Sequence, residues 1–179
     1  MSISSRADLT RRVAIDAMLC AFAMMLSYLE VLLPLGAVIP IPGFRLGLAN
    51  LVVLAVFYLL SPIDAAAVSA TRILLMGLLF GSATSLFFSA MGGLFSFLVL
   101  LLATKMGKKC SFIGVSILSA AAHNCGQITA AVVLFDASLI LTYLPWLLIA
   151  ATVYGGTVGV LLNLLMPRLS GIFERRRTV

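Results

Sequence analysis

Long apolar runs, separated by short polar or proline- and glycine-containing breaks, dominate this sequence of 179 residues. They fall at about 13–34, 46–61, 63–80, 83–104, 111–135 and 138–166. A helix needs about 20 residues to cross the hydrocarbon core of a bilayer. Apolar residues make up 63% of the chain and charged residues only 10%, and so short a chain could not bury that much apolar surface away from water. The sequence predicts an integral membrane protein and excludes a soluble enzyme, a secreted disulfide scaffold and a disordered tail.

The breaks between the runs favour helices over strands. Ser61-Pro62, Gly81-Ser82, the basic stretch 105–109 and Asp136 end successive runs, and none of the runs alternates apolar and polar residues as a barrel strand does. We therefore expect an all-α membrane protein, a compact bundle of six transmembrane helices in a single domain over residues 1–179. Pro167 with Arg168 is expected to end the last span.

Positive charges predict the orientation of this bundle. With six spans, ten of the twelve Lys and Arg residues fall on one side of the membrane, the exceptions being Arg45 on the other side and Arg72 inside the third span. The positive-inside rule then places both termini in the cytoplasm. The net charge of +6 accordingly indicates topology and contact with the bilayer, and we expect no nucleic-acid partner.

Arg72 is a costly residue at membrane depth, by about 2.5–3.5 kcal/mol on insertion scales. Its guanidinium cannot be deprotonated, so it needs a carboxylate, carbonyls, water or an anionic ligand nearby. Two interpretations have equal weight: a structural pair with Glu30, near the outer end of the first span, or a ligand-binding role. A ligand that displaces the carboxylate would reconcile them.

The fifth run carries the densest polar group of the chain. Steps of three or four residues place Ser116, Ser119, His123 and Gln127 on one helix face, with Asn124 beside them. An interhelical hydrogen-bond cluster is one explanation. So many polar groups on one stripe exceed what packing requires, and we favour a cavity for a ligand or substrate.

The segment 42–50, Pro-Gly-Phe-Arg-Leu-Gly-Leu-Ala-Asn, joins the only long loop to the second span. Its glycines permit close approach of the backbone. Arg45 could guide or hold an anion at the outer mouth, with Asn50 below it in the helix. The alternative is a turn with a snorkelling arginine.

The residue types that metal-dependent chemistry needs are sparse. His123 is the one histidine, and the three cysteines are far apart, so we expect no metal and no cofactor. Enzymes that hold magnesium on a diphosphate group use clustered acidic residues, since magnesium prefers oxygen ligands. The aspartates here are isolated in sequence, so we expect no catalytic residues and no enzyme activity from this chain alone.

Several segments together resemble one bacterial family, the "heptaprenyl diphosphate synthase component I" or Gx transporter family, from about residue 12 to 166. They are Ser27-Tyr28-Leu29-Glu30, the 42–50 segment, Arg72, Ser89-Ala90-Met91-Gly92-Gly93 and Ala122-His123-Asn124-Cys125-Gly126-Gln127. The resulting candidate ligand-binding residues are Glu30, Arg45, Asn50, Arg72, Ser89, His123, Asn124 and Gln127.

This family is similar to the substrate-binding S components of energy-coupling factor (ECF) transporters, which capture vitamins or related compounds from outside. The resemblance implies that Ala14, Ala17 and Ala21 form a stripe that docks a transmembrane coupling subunit, and that a lid at about 34–46 covers the ligand. It also implies a multi-pass protein of the bacterial cytoplasmic membrane. The chain has no GxxxxGK[ST] sequence, so ATP hydrolysis would belong to partner ATPase subunits.

Three functions follow as hypotheses. The leading one is an ECF-type subunit that binds a small anionic or vitamin-like ligand. The second is a membrane accessory subunit in isoprenoid or quinone biosynthesis, and the third a stand-alone channel or secondary transporter. Flavin-like, vitamin-like and prenyl-diphosphate ligands all remain open from the sequence.

Overall fold

The computed structural model describes residues 3–32, 48–105, 111–135 and 138–175, and every regular element within them is helical. The α-helices are α1 (Ile3–Leu32), α2 (Asn50–Leu59), α3 (Pro62–Phe80), α4 (Ala83–Lys105), α5 (Phe112–Phe135) and α6 (Leu144–Arg175). A 3₁₀ turn, Ser138–Tyr143, precedes α6. The predicted all-α bundle is confirmed for the described residues.

Five of these helices are long and apolar enough to cross a membrane. Their candidate spans are Leu9–Glu30, Pro62–Phe80, Ala83–Ala103, Phe112–Phe135 and Leu141–Gly171. Large apolar side chains such as Met18, Leu78 and Trp146 are about three-quarters exposed. A surface with so many exposed apolar side chains is unfavourable in water and is stable in contact with lipid. The chain is therefore a multi-pass membrane protein; which side each terminus faces stays a prediction.

The segment expected to span the membrane at 46–61 differs from the other five. Its helix α2 has ten residues, which rise about 15 Å, half of a hydrocarbon core of about 30 Å. Ala49 and Asn50 are buried, so α2 begins inside the bundle and not at its surface. The sequence could not show this, because the apolar run continues on both sides of the short helix.

Helix α5 is the centre of the packing. It lies against α4 on one side and α6 on the other, α4 lies against α3, and α3 against α1. Helix α2 contacts α1, α3 and α6 and so completes the ring. Its residues Leu54 and Val56 are almost fully buried in the largest hydrophobic cluster.

An ion pair fixes α1 to the start of α3. The Arg12 guanidinium donates to both carboxylate oxygens of Asp64 at 2.8 Å and to the Ser61 hydroxyl at 3.0 Å. Ser61 is the N-cap of α3 and accepts from the Asp64 backbone N–H at 3.2 Å. These contacts place Ser61 near the Arg12 end of α1, whereas Leu48 contacts Glu30 at the other end. Residues 48–61 therefore run antiparallel to α1.

The last helix does not end where the proline suggested. Pro167 lies inside α6, which continues to Arg175. A proline within a helix removes one hydrogen bond and bends the backbone, and the flanking turns here retain their helical geometry. The expectation that Pro167 ends the helix was wrong, although the apolar part of α6 does stop nearby.

Candidate functional site

Buried polar side chains from five helices face the inside of the bundle. We call this set the polar interior: Ser27, Glu30, Asn50, Ser69, Arg72, Ser89, Ser96, Ser116, Ser119, His123, Asn124 and Gln127. It contains every sequence-predicted ligand-binding residue except Arg45, which lies outside the described residues. Their burial is shown, and their role in binding a ligand stays a prediction.

Arg72 and Glu30 bring charge into this interior. Arg72 is 7% exposed and its Nη1 donates to the Ser27 hydroxyl at 3.0 Å. Glu30, one helical turn after Ser27 on the same face of α1, is 4% exposed and accepts a hydrogen bond from the backbone N–H of Leu48. Because Leu48 comes just before α2, the carboxylate lies near the positive end of that helix, which favours a buried negative charge.

The His123 imidazole lies directly on the backbone of α4. A Cβ atom added at Gly92 would come within 2.7 Å of the His123 Cε1 and within 2.9 Å of both ring nitrogens. One turn away on α4, Ser89 is also buried. The absence of a side chain at Gly92 therefore makes the space that the imidazole occupies, and it sets how deeply the ring enters between α4 and α5.

Asn124 is held by α6 at both ends of its amide. Its Nδ2 donates to the Leu147 carbonyl at 2.7 Å, and its Oδ1 accepts from the Tyr154 hydroxyl at 2.9 Å. The side chain is fully buried. Asn124 therefore connects α5 and α6 by hydrogen bonds. For this residue the arrangement fits the interhelical hydrogen-bond cluster, the alternative to a ligand cavity in the interpretation of the polar stripe.

Gln127, three residues further along α5, is different. Its side chain is 3% exposed, and within the described residues neither its amide oxygen nor its amide nitrogen has a hydrogen-bond partner. A buried amide without partners costs about 1–3 kcal/mol. Gln127 is therefore the residue of the polar interior whose side chain most clearly lacks hydrogen-bond partners among the described residues.

The other end of the α5 stripe is satisfied by serines. The Ser119 and Ser96 hydroxyls lie 2.6 Å apart and share a hydrogen bond between α5 and α4. Ser116 and Ser119, with Asn50 and Tyr154, line a small cavity of about 10 Å³, which is about the smallest that can hold one water molecule. This part of the interior has no room for a larger ligand.

The predicted docking residues lie on the outside of the bundle. Ala14, Ala17 and Ala21 are all exposed, while Cys20, Ala23 and Ser27, on the adjoining face of α1, are buried. Their exposure is shown, and their role in docking a partner stays a prediction. No group of three His, Cys, Asp or Glu side chains that could hold a metal comes together in the part of the chain that the structure describes.

Sequence reasoning did not single out Tyr154, Ser69 or Ser96. It quoted Ser27 only within the 27–30 segment that carries the family resemblance, and not as a site residue. Ser69 lies one turn from Arg72 on the buried face of α3, and that spacing was a usable signal. Tyr154 precedes a glycine pair in an apolar run, and nothing local distinguishes it from an interfacial tyrosine. The ion pair between Arg12 and Asp64 was also missed. The spacing of Ser61 and Asp64 is typical of the start of a helix, but it does not show that Asp64 pairs with Arg12.

Comparison with known proteins gives a family. Searches of curated proteins and of solved structures return no match. A family profile described as "Heptaprenyl diphosphate synthase component I" matches residues 19–165, which includes every described residue of the polar interior. With most of its length covered by that profile, this chain belongs to the heptaprenyl diphosphate synthase component I family.

Proposed function

We propose that this chain is a membrane subunit that binds a small molecule, with a polar anionic head group, in its polar interior. The observation that carries the proposal is the buried Gln127 amide, which has no partner within the described residues. Such a group is stabilised when a ligand supplies both a donor and an acceptor.

The charge of the interior supports an anionic head group. Arg72 stays protonated at any physiological pH, and its Nη1 donates to the Ser27 hydroxyl at 3.0 Å inside the bundle. Planar guanidinium donors suit carboxylate and phosphate oxygens. Glu30 lies on the same face of α1 as Ser27. An anionic ligand beside Arg72 would therefore compete with the Glu30 carboxylate for the guanidinium and for the positive end of α2.

The family description favours a role beside prenyl diphosphate synthesis. A family named as component I of a heptaprenyl diphosphate synthase fits an accessory subunit that presents or receives an isoprenoid at the membrane. The isolated aspartates argue that chain elongation itself belongs to another protein. We propose this accessory role as the first physiological candidate.

An ECF-type uptake subunit is the second candidate. It rests on the resemblance of the sequence segments and on the exposed Ala14, Ala17 and Ala21 face of α1, which leaves room for close helix–helix contact. In this case a coupling subunit and ATPase subunits would be partners, and the ligand would be vitamin- or cofactor-like.

Native mass spectrometry of the gently purified protein tests ligand binding. We expect a co-purified small molecule in the wild type and its loss in Gln127→Met and in Arg72→Gln. Thr157→Val is a matched control, because Thr157 is exposed and its hydroxyl bonds only its own helix, at the Val153 carbonyl. A small molecule retained equally by all four proteins would refute binding in the polar interior.

Two further measurements separate the two roles. The accessory role predicts co-purification with a soluble prenyl synthase and a change in product chain length when this chain is deleted. The uptake role predicts that Ala17→Trp with Ala21→Trp abolishes uptake and binding to a coupling subunit without loss of the co-purified ligand. Uptake in liposomes that lack any ATPase would support neither role and would indicate a stand-alone transporter.

A further inference from the structure

The small cavity of about 10 Å³ lies inside the bundle, at the buried start of α2. Polar side chains from three helices line it: Asn50 of α2, Ser116 and Ser119 of α5, and Tyr154 of α6. Asn50 is 9% exposed, and the two serines are almost fully buried. The other described residues of its wall are apolar. Several buried polar groups therefore converge on one small space.

The start of α2 needs hydrogen-bond partners that its own turn does not supply. Ala49 is the N-cap residue, and no side-chain hydrogen bond caps the helix there. The N–H groups of Leu51 and Val52 donate at 3.1 Å to carbonyls of the same turn. Among the described residues, the backbone bonds of this turn include no acceptor for the Asn50 N–H. Helix ends without capping side chains are commonly satisfied by water.

Volume and charge together decide what can occupy the cavity. A space of about 10–15 Å³ with two to four polar partners is enough for one water molecule. None of its described lining residues is acidic, and the positive end of the α2 dipole lies at Asn50, so a cation is disfavoured. The volume leaves no room for a larger anion or an organic ligand.

We propose that one ordered water molecule occupies this cavity and joins the start of α2 to α5 and α6. The Tyr154 hydroxyl donates its proton to Asn124, so its oxygen can accept a hydrogen bond from the water. Asn50 can donate to the water. The water thus takes the place of a capping side chain and allows α2 to begin in the middle of the bundle.

This site gives Asn50 a role that differs from the one predicted for it. The sequence predicted Asn50 as a ligand-binding residue, whereas its position beside Ser116 and Ser119 assigns it to the water. The inference is independent of ligand binding at Gln127, which lies about two turns beyond Ser119 on α5.

Radiolytic labelling of the wild-type protein in nanodiscs tests the proposal. An X-ray pulse converts water to hydroxyl radicals, which oxidise the side chains that contact this water even where bulk solvent does not reach. Leu54 and Val158 line the cavity and are 1% and 4% exposed. Met76 and Phe88 are each 1% exposed, do not line it, and react more readily with the radical. We expect oxidation of Leu54 and Val158 and none above background at Met76 and Phe88.

A matched pair of variants locates the water. Val158→Ile adds a carbon atom to the wall of the cavity and displaces the water. Val68→Ile is the control, because Val68 is 2% exposed and does not line the cavity. We expect oxidation of Leu54 to be lost in Val158→Ile and kept in Val68→Ile. The wild-type pattern decides the question even if Val158→Ile does not fold.

Four results would overturn the proposal. Absence of oxidation at Leu54 in the wild type would show that the cavity is dry. Equal oxidation of Met76 and Phe88 would show that radicals enter from outside, and unchanged oxidation of Leu54 in folded Val158→Ile would place the water elsewhere. Oxidation of Leu54 that appears only when choline replaces sodium in the buffer would show that an ion fills the cavity.

Discussion

The contacts of α5 with its neighbours and the contact of α3 with α4 are built from similar residues and differ sharply in closeness. An added Cβ at Gly126 of α5 would collide with the Met91 carbonyl oxygen of α4, and one at Gly159 of α6 would lie 2.5 Å from the Ile113 Cα. Between α3 and α4, the Cβ of Gly77 would meet only the side chain of Leu86, and a groove of about 570 Å³ remains open nearby.

The difference shows what small residues do in a membrane bundle. They allow backbones to touch only where the facing helix also offers backbone or a small side chain. On the α3–α4 side, alanines alternate with bulky groups such as Leu86, Phe87 and Phe97, which hold the helices apart. The same composition therefore produces a rigid contact around α5 and a cleft beside α3.

The largest loss of stability should follow from adding a side-chain atom where α4 and α5 are in close contact. Gly126→Ala places a methyl group against the backbone of Met91 and Gly92, which cannot move as a side chain can. We expect a loss of about 3 kcal/mol in the free energy of unfolding, measured by SDS titration of the purified protein. Gly156→Ala is the control, since its Cβ would meet only the Ile117 Cδ1 at 3.9 Å. Equal stability of the two variants would show that α4 and α5 are not in backbone contact.

The two buried amides of α5 should respond in opposite ways. Asn124→Ala leaves the Tyr154 hydroxyl and the Leu147 carbonyl without their partner, so we expect a loss of about 2 kcal/mol. Gln127→Met removes an amide that has no partner within the described residues and keeps a similar volume, so the ligand-free protein should be as stable as the wild type or more stable. Unfolding of both variants after removal of bound ligand tests this contrast. Similar losses in both would mean that Gln127 is structural.

A smaller effect is expected for Tyr154→Phe, which removes one hydroxyl from the contact between α5 and α6. Asn124 Oδ1 then loses its donor while Nδ2 still bonds the Leu147 carbonyl. We expect a loss of about 1 kcal/mol by SDS titration. In a double-mutant cycle with Asn124→Ala, the two losses should not add, because both changes remove the same bond. Full additivity would argue against that bond.

The smallest effect should appear on the open side of the bundle. Gly77→Ala meets the Leu86 Cδ1 at 2.5 Å and the Leu86 Cβ at 3.0 Å. The Cδ1 is the flexible end of a side chain that borders the groove and can turn into it, and the Cβ needs to give by only a few tenths of an ångström. We expect a change within about 0.5 kcal/mol in the free energy of unfolding. A loss as large as that of Gly126→Ala would show that α3 and α4 are packed tightly and that the groove is not a free space.

Much of the site was predictable because burial of polar groups in a membrane is costly. Arg72, His123 and Gln127 stand out in apolar runs, and helical spacing alone places the α5 stripe on one face. The partners of these residues were not predictable. Asn124 bonds Tyr154 thirty positions away and Arg72 bonds Ser27 forty-five positions away, and no local pattern carries such pairings.

The apolar runs by themselves determined that this protein is a helical membrane bundle, because a backbone in lipid must satisfy its own hydrogen bonds. They also determined where most helices lie along the chain. Only the tertiary structure decided that α2 is a short helix beginning inside the bundle and that α3 and α4 leave a groove. It also decided that, among the described residues, Asn124 has hydrogen-bond partners and the Gln127 side chain has none. Each of these depends on which side chains meet across helices, and that is set by packing in three dimensions.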